Sequence, residues 1–133
     1  MAVTHRNVLV PLTDAQAPER VMETACTLAD EGASVTVVFV IEISPLLPLD
    51  ARMDEEEAHA RRFLRRAEAV GDAYGVRVVP RLVRARDAGT AILEVAEEEG
   101  SELLVIGTKR QRVRGLAKHV LRKATCRVLV VSI

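Results

Sequence analysis

Continuous apolar runs alternate along this chain with stripes of apolar residues spaced three to four apart, the signatures of buried strands and of helices with one buried face. Residues 7–12 (NVLVPL) form the first run. Pro18 suits the opening turn of a helix, where its fixed φ fits and no donor is lost. Val21, Ala25, Leu28 and Ala29 make that helix's stripe, and Gly32 is expected to stop it. Residues 34–42 (SVTVVFVIE) are β-branched and apolar on both faces, which predicts a parallel strand covered on both sides and the most buried strand of the chain. Pro45 and Pro48 make residues 43–53 a loop. The acidic start at residues 54–57 favours a helix N-terminus, and the stripe Ala60, Phe63, Leu64, Ala67, Val70 and Tyr74 predicts the longest helix.

The second half repeats the rhythm. Residues 76–83 predict a third strand, and Pro80, which lacks a backbone donor, belongs at a sheet edge. Asp87 can cap a helix with the stripe Ala88, Ile92, Val95 and Ala96, which Gly100 ends. Residues 102–106 are strand four. Ala117, Val120, Leu121 and Ala124 mark a short fourth helix, and residues 127–133 are strand five. With no linker, repeat or low-complexity stretch, the pattern predicts a single domain over residues 1–133. Its class is α/β, a doubly wound five-stranded parallel sheet with helices on both faces.

Composition narrows the function. The aromatic residues are Phe39, Phe63 and Tyr74 alone, so base stacking on aromatic platforms is nearly excluded and no nucleic-acid partner is expected. Charge balances overall, yet residues 101–133 hold eight Lys/Arg against Glu102, giving +7, so residues 1–100 carry −7. The longest apolar run, residues 35–41, is strand-sized, and the first twelve residues lack a leader-like run, so no membrane insertion is expected and the chain reads as cytoplasmic. Cys26 and Cys126 have no partner at ligand spacing, which predicts buried thiols and neither a metal site nor a disulfide framework.

No catalytic residue stands out. The seven glycines never fall within three residues of each other, so dinucleotide and P-loop glycine patterns are absent. His5, His59 and His119 stand alone and read as surface histidines, without a nucleophile elbow or an HExxH. The basic run Lys109, Arg110, Arg112, Arg114, Lys118, Arg122, Lys123 and Arg127 has three readings. One is a solvated turn and outer helix face. Another is an anion site in which Lys109, Arg110, Arg112 and Arg114 bind by charge-assisted contacts. The third is a DNA contact, against which the missing helix-turn-helix pattern and the compensating acidic surface count.

Four segments carry a family resemblance: residues 8–12 with the polar turn after them, 86–100 (RDAGTAILEVAEEEG), 102–108 (ELLVIGT) and 120–131 (VLRKATCRVLVV). Over essentially its whole length the chain resembles the universal stress protein family. The resemblance implies strand order 3-2-1-4-5, an adenine nucleotide alpha hydrolase-like fold, a ligand crevice between the ends of strands 1 and 4, and a homodimer. Nucleotide-binding members carry Gly-x-x-Gly, nine residues, then Gly-Ser/Thr, because a backbone that wraps phosphate needs close approach and positive φ. Gly107 matches the first glycine, but Arg110 replaces the second, Arg114 falls at the third and Gly115 at the hydroxyl position, with a connection about six residues short. Asp14 stands one position late, behind Thr13. By resemblance Pro11, Leu12, Thr13, Val40, Ile106, Gly107, Arg110 and Gly115 correspond to nucleotide-binding positions.

The expected function is therefore a non-enzymatic regulatory or stress-response protein with ATP binding weakened or lost and no other cofactor. One alternative is an ATP- or AMP-binding switch that uses arginine side chains in place of the glycine loop. Another is an accessory domain or subunit that docks on a partner such as a membrane transporter or other regulator. Strand five ends the sheet with Val128, Leu129, Val130 and Val131 apolar on both faces, which predicts dimerisation through that edge.

Overall fold

The computed structural model describes residues 5–13, 16–109, 113 and 115–133. In it β1 (His5–Leu12), α1 (Pro18–Leu28), β2 (Ala29–Glu42), α2 (Asp54–Tyr74) and β3 (Arg77–Ala85) are followed by α3 (Ala88–Glu99), β4 (Leu103–Thr108), α4 (Gly115–Lys123) and β5 (Arg127–Ser132). All strand pairs are parallel and the sheet order is β3-β2-β1-β4-β5. That is the order the resemblance implies.

Successive side chains of a strand point to opposite faces, so each unbroken apolar run feeds two cores. Val8, Val10, Val35, Val37, Leu103 and Val105 meet Val21, Met22 and Ala25 of α1 and Ala60, Leu64 and Ala67 of α2. Leu9, Val38, Leu104 and Ile106 go to the other face, against Ile92 and Val95 of α3 and Ala117 and Val120 of α4. Side chains such as Leu9, Met22, Ile92 and Leu104 are fully buried, each contributing roughly 1.5–3 kcal/mol.

Several boundaries differ from the sequence reading. Helix α1 ends at Leu28 and Ala29 already belongs to β2, paired with His5, so Gly32 does not stop the helix; it sits inside the strand at φ +78. The register of β1 on β2 shifts between His5 and Asn7, and this extra pairing at the foot of the sheet outcompetes a further helical turn. The most uniformly buried strand is β4, with all six residues buried, rather than β2, whose two ends reach solvent. Tyr74 and Leu121, expected in helix stripes, are exposed. Ala124 lies just past the end of α4. Pro80 does sit on an edge strand, β3, opposite Val37.

The loop between β2 and α2 is held by two arginines. Arg86 Nη1 donates to the carbonyls of Ser44 (2.6 Å) and Leu47 (2.8 Å), and Arg84 donates to Ala51 O (2.6 Å) and to Glu57. These bonds set the position of Met53 and of the first turn of α2, and thereby one wall of the site.

Candidate functional site

The carboxyl ends of β1 and β2 open into a cleft of about 900 Å³, bounded by the start of α2 on one side and by the first turns of α3 and α4 on the other. In an open parallel sheet ligands bind outside the carboxyl ends of the strands; the order reverses here between β1 and β4, and the cleft reaches that point through β1 and the start of α4, with none of the described β4 residues in its lining. Its floor is apolar, with Leu12, Phe39, Val40, Ile41, Ile92 and Leu116. Glu42, Glu55, Glu56 and Asp87 supply carboxylates to the rim, against the guanidinium of Arg62 and the imidazoles of His59 and His119.

The first turn of α3 is already satisfied by protein groups. Asp87, in an extended conformation, caps the helix: its Oδ2 accepts from the Thr90 amide (2.9 Å) and the Thr90 hydroxyl (2.6 Å). Glu42 Oε2, from the end of β2, accepts from the Ala88 amide (3.0 Å). Both carboxylates occupy the positive end of the helix dipole, where an anionic ligand would otherwise be favoured. The hydrogen bonds from the Thr90 side chain and backbone hold the Asp87 carboxyl below its ordinary value, and His119 adds a smaller electrostatic pull.

The wall formed by α2 carries a ring cluster. Phe39 and Phe63 pack edge to face at 5.8 Å, and His59 lies 4.8 Å from Phe63 and 6.4 Å from Phe39. The His59 imidazole is thus fixed by packing at the cleft. On the far wall, Gly115 enters α4 with φ +54, a left-handed turn that glycine makes without strain.

Four residues expected from the sequence, Leu12, Thr13, Val40 and Gly115, come together in this cleft. Pro11 and Ile106 are buried in the sheet. Gly107 is buried too, and a Cβ there would strike Gln16 and Ile133 and lie 2.8 Å from Val21 Cγ2. Its small size therefore lets α1 and the last residue close over β4, and its φ is not positive. Lys109 is exposed, as are Lys118, Arg122, Lys123 and Arg127. Arg110, Arg112, Arg114 and Asp14 lie outside the described residues.

Sequence reasoning missed the acidic rim. Glu42 was legible only as the end of a strand and Asp87 only as a cap, since their meeting at α3 depends on how β2 and α3 pack. Two of the three histidines differ from expectation, while His119 is exposed. His5 is buried at the opposite end of the sheet, its Nε2 3.5 Å from Arg127 Nη1 and its Nδ1 without a hydrogen-bond partner among the described residues. His59 is half-buried. Cys26 is buried and Cys126, expected buried, is only half-buried; both are free thiols, and burial raises both above the usual thiol value. Among the described residues no group of three or more His, Cys, Asp or Glu could hold a metal ion. No described helix is long and apolar enough to cross a membrane.

Sheet order and cleft together define a doubly wound α/β protein of the adenine nucleotide alpha hydrolase-like fold, with a ligand-sized crevice at the carboxyl ends of β1 and β2. A model of the universal stress protein family matches residues 4–132. The chain belongs to this family. Among solved structures it is similar to a universal stress family protein from Burkholderia pseudomallei, at 30% identity over 96% of each chain and a TM-score of 0.76. It is also similar in fold to the Archaeoglobus fulgidus universal stress protein in complex with dAMP (22% identity, 97% of this chain and 98% of that one, TM-score 0.78). A third, from Arabidopsis thaliana with AMP bound, shares 15% identity over 95% of this chain and 90% of its own, with a TM-score of 0.70. No curated protein matches the chain.

Proposed function

We propose that this chain is a cytoplasmic, non-enzymatic regulatory member of its family, in which the cleft at the ends of β1 and β2 binds a small ligand and ATP binding is weakened or lost. The observation that carries the reading is the rim, where the amides at the start of α3 are spent on Glu42 and Asp87. On the α3 side of the cleft a triphosphate would meet carboxylates, while the side the resemblance assigns to phosphates is the connection before α4. The sequence adds to this: Arg110 and Arg114 stand at two of the family's glycine positions, and a non-glycine residue entering the left-handed region costs roughly 1–2 kcal/mol. The bound AMP of the Arabidopsis structure and the dAMP of the Archaeoglobus structure show that this fold can take an adenine nucleotide, which supports a small ligand here. The non-enzymatic reading draws support from the lining, which offers the Thr13 hydroxyl and no serine or cysteine among the described residues. Free thiols at Cys26 and Cys126 suit a reducing compartment.

Calorimetric titration with ATP tests the proposal. We expect a Kd weaker than about 100 μM, equivalent to less than about 5.5 kcal/mol of binding free energy, and no release of inorganic phosphate. Submicromolar ATP binding, or ATP carried through purification, would overturn it.

A further inference from the structure

We infer that the loop between β2 and α2 is a contact surface for a second copy of this chain, docking on the basic α4 side of that copy and away from the β5 edge. The contact is independent of what the cleft binds. Among the described residues six large apolar side chains are exposed: Leu46, Leu47, Leu49, Tyr74, Val113 and Leu121. All but Tyr74 fall into two groups of opposite charge.

The first group is acidic. Residues 42–57 carry Glu42, Asp50, Asp54, Glu55, Glu56 and Glu57. Against these six stand Arg52 of the same segment and the two arginines that reach into it, Arg84 and Arg86. The leucines are held out toward solvent. Turns close from Leu47 N to Ser44 O (3.0 Å) and from Ala51 N to Pro48 O (3.0 Å), and the Leu46 amide donates to Ser44 Oγ (3.2 Å). With Arg86 and Arg84 holding the carbonyls of Ser44, Leu47 and Ala51, the loop has little conformational entropy left to lose on docking.

The second group is basic. Val113 and Leu121 lie in residues 109–123, which hold Lys109, Arg110, Arg112, Arg114, Lys118, Arg122 and Lys123 and no acid. Lys118, Leu121 and Arg122, three and four positions apart on α4, are all exposed. Within one copy the cleft separates the groups, with Met53 and Glu55 on one wall and Gly115 and Leu116 on the other. Loop against loop, or loop against an anionic lipid surface, would repel. The α4 side of another copy offers apolar contact and the opposite sign together. Because two different patches meet, each contact leaves a loop and an α4 free to add further copies. Three leucines make a small interface, so the contact is weak and forms at high concentration.

Sedimentation velocity on the full chain tests this with wild type, Leu46→Glu, Leu121→Glu and an equimolar mixture of the two variants, circular dichroism checking each fold. All should share the species formed at low concentration, since β5 is untouched. We expect wild type to grow beyond it as concentration approaches about 500 μM, with an association constant at least threefold lower in about 0.5 M than in about 0.05 M NaCl. Each variant alone should lose this step. The mixture should regain it, because one partner keeps a sound α4 and the other a sound loop. Should Leu121→Glu lose its fold, the exposed Lys118→Glu takes its place. A wild type that does not grow, or a mixture that associates no more than its components, would overturn the inference. Loss in one variant alone would overturn it too, since pairing of like patches needs only one of them.

Discussion

The His119 imidazole of α4 lies against the backbone of Gly89 in α3, its Cδ2 2.5 Å from where a Cβ would stand. Both residues line the cleft, so glycine here lets the two helices that form one wall approach each other. Gly107 is likewise tight, but its neighbours differ: Val21 and Ile133 belong to the packed core, whereas His119 is an exposed ring that can swing away.

The contrast gives the first prediction. Gly107→Ala should destabilise the protein by about 1–3 kcal/mol, the usual cost of overpacking. Gly89→Ala should change stability by less than about 1 kcal/mol, because alanine's helix propensity offsets the displacement of His119. Denaturant unfolding of the two variants measures both; equal losses would contradict the packing argument.

Asp87 makes stability depend on acid. Its folded carboxyl titrates below its unfolded value because Thr90 donates to the ionised form. The stabilisation is therefore complete above the unfolded value and is lost as pH falls through the depressed folded one. Asp87→Asn should keep the cap and flatten the acid limb of a Tm-against-pH curve, while Asp87→Ala should lower Tm by a few degrees even at neutral pH. Unchanged acid limbs in both variants would contradict this.

Arg86 orders the loop that bears Leu46, Leu47 and Leu49, three exposed leucines. Arg86→Ala removes a charged donor shared by these carbonyls and should cost about 1–2 kcal/mol after allowance for its exposure. Hydrogen exchange should rise at residues 44–51 and stay constant in β1 and β4. Arg86→Lys, lacking the planar fork, should restore only part of the protection.

Strand β5 is the last of the sheet, with Val128, Leu129, Val130 and Val131 half-buried and no further strand beyond it among the described residues. Val128 and Val130 pack on one core while Leu129 and Val131 pack on the other. We expect the protein to run as a homodimer through this edge at tens of micromolar in sedimentation. Val130→Asp should yield a monomer or an aggregate, with circular dichroism separating loss of pairing from loss of fold. A monomeric wild type would sink the proposal.

The sequence by itself determined the elements and their order. Unbroken β-branched runs of this length favour strands covered on both faces, Pro80 is tolerated at a sheet edge, and the Asp87 cap and Gly100 stop are local chemistry. All of these depend on near neighbours in the chain, which is why they are readable there. The resemblance carried by residues 102–108 and 120–131 supplied the strand order as well. Only the tertiary structure decided how far α1 runs, because the His5–Ala29 pairing is made across 24 positions. It alone showed that Gly107, which the resemblance places at a nucleotide-binding position, is also hemmed in by Val21 and Ile133. It also gathered Glu42, Glu55, Glu56 and Asp87, from three separate segments, around one cleft. Charge at a site is a sum over groups brought close in space, and a linear pattern holds no distances between segments that fold onto one another.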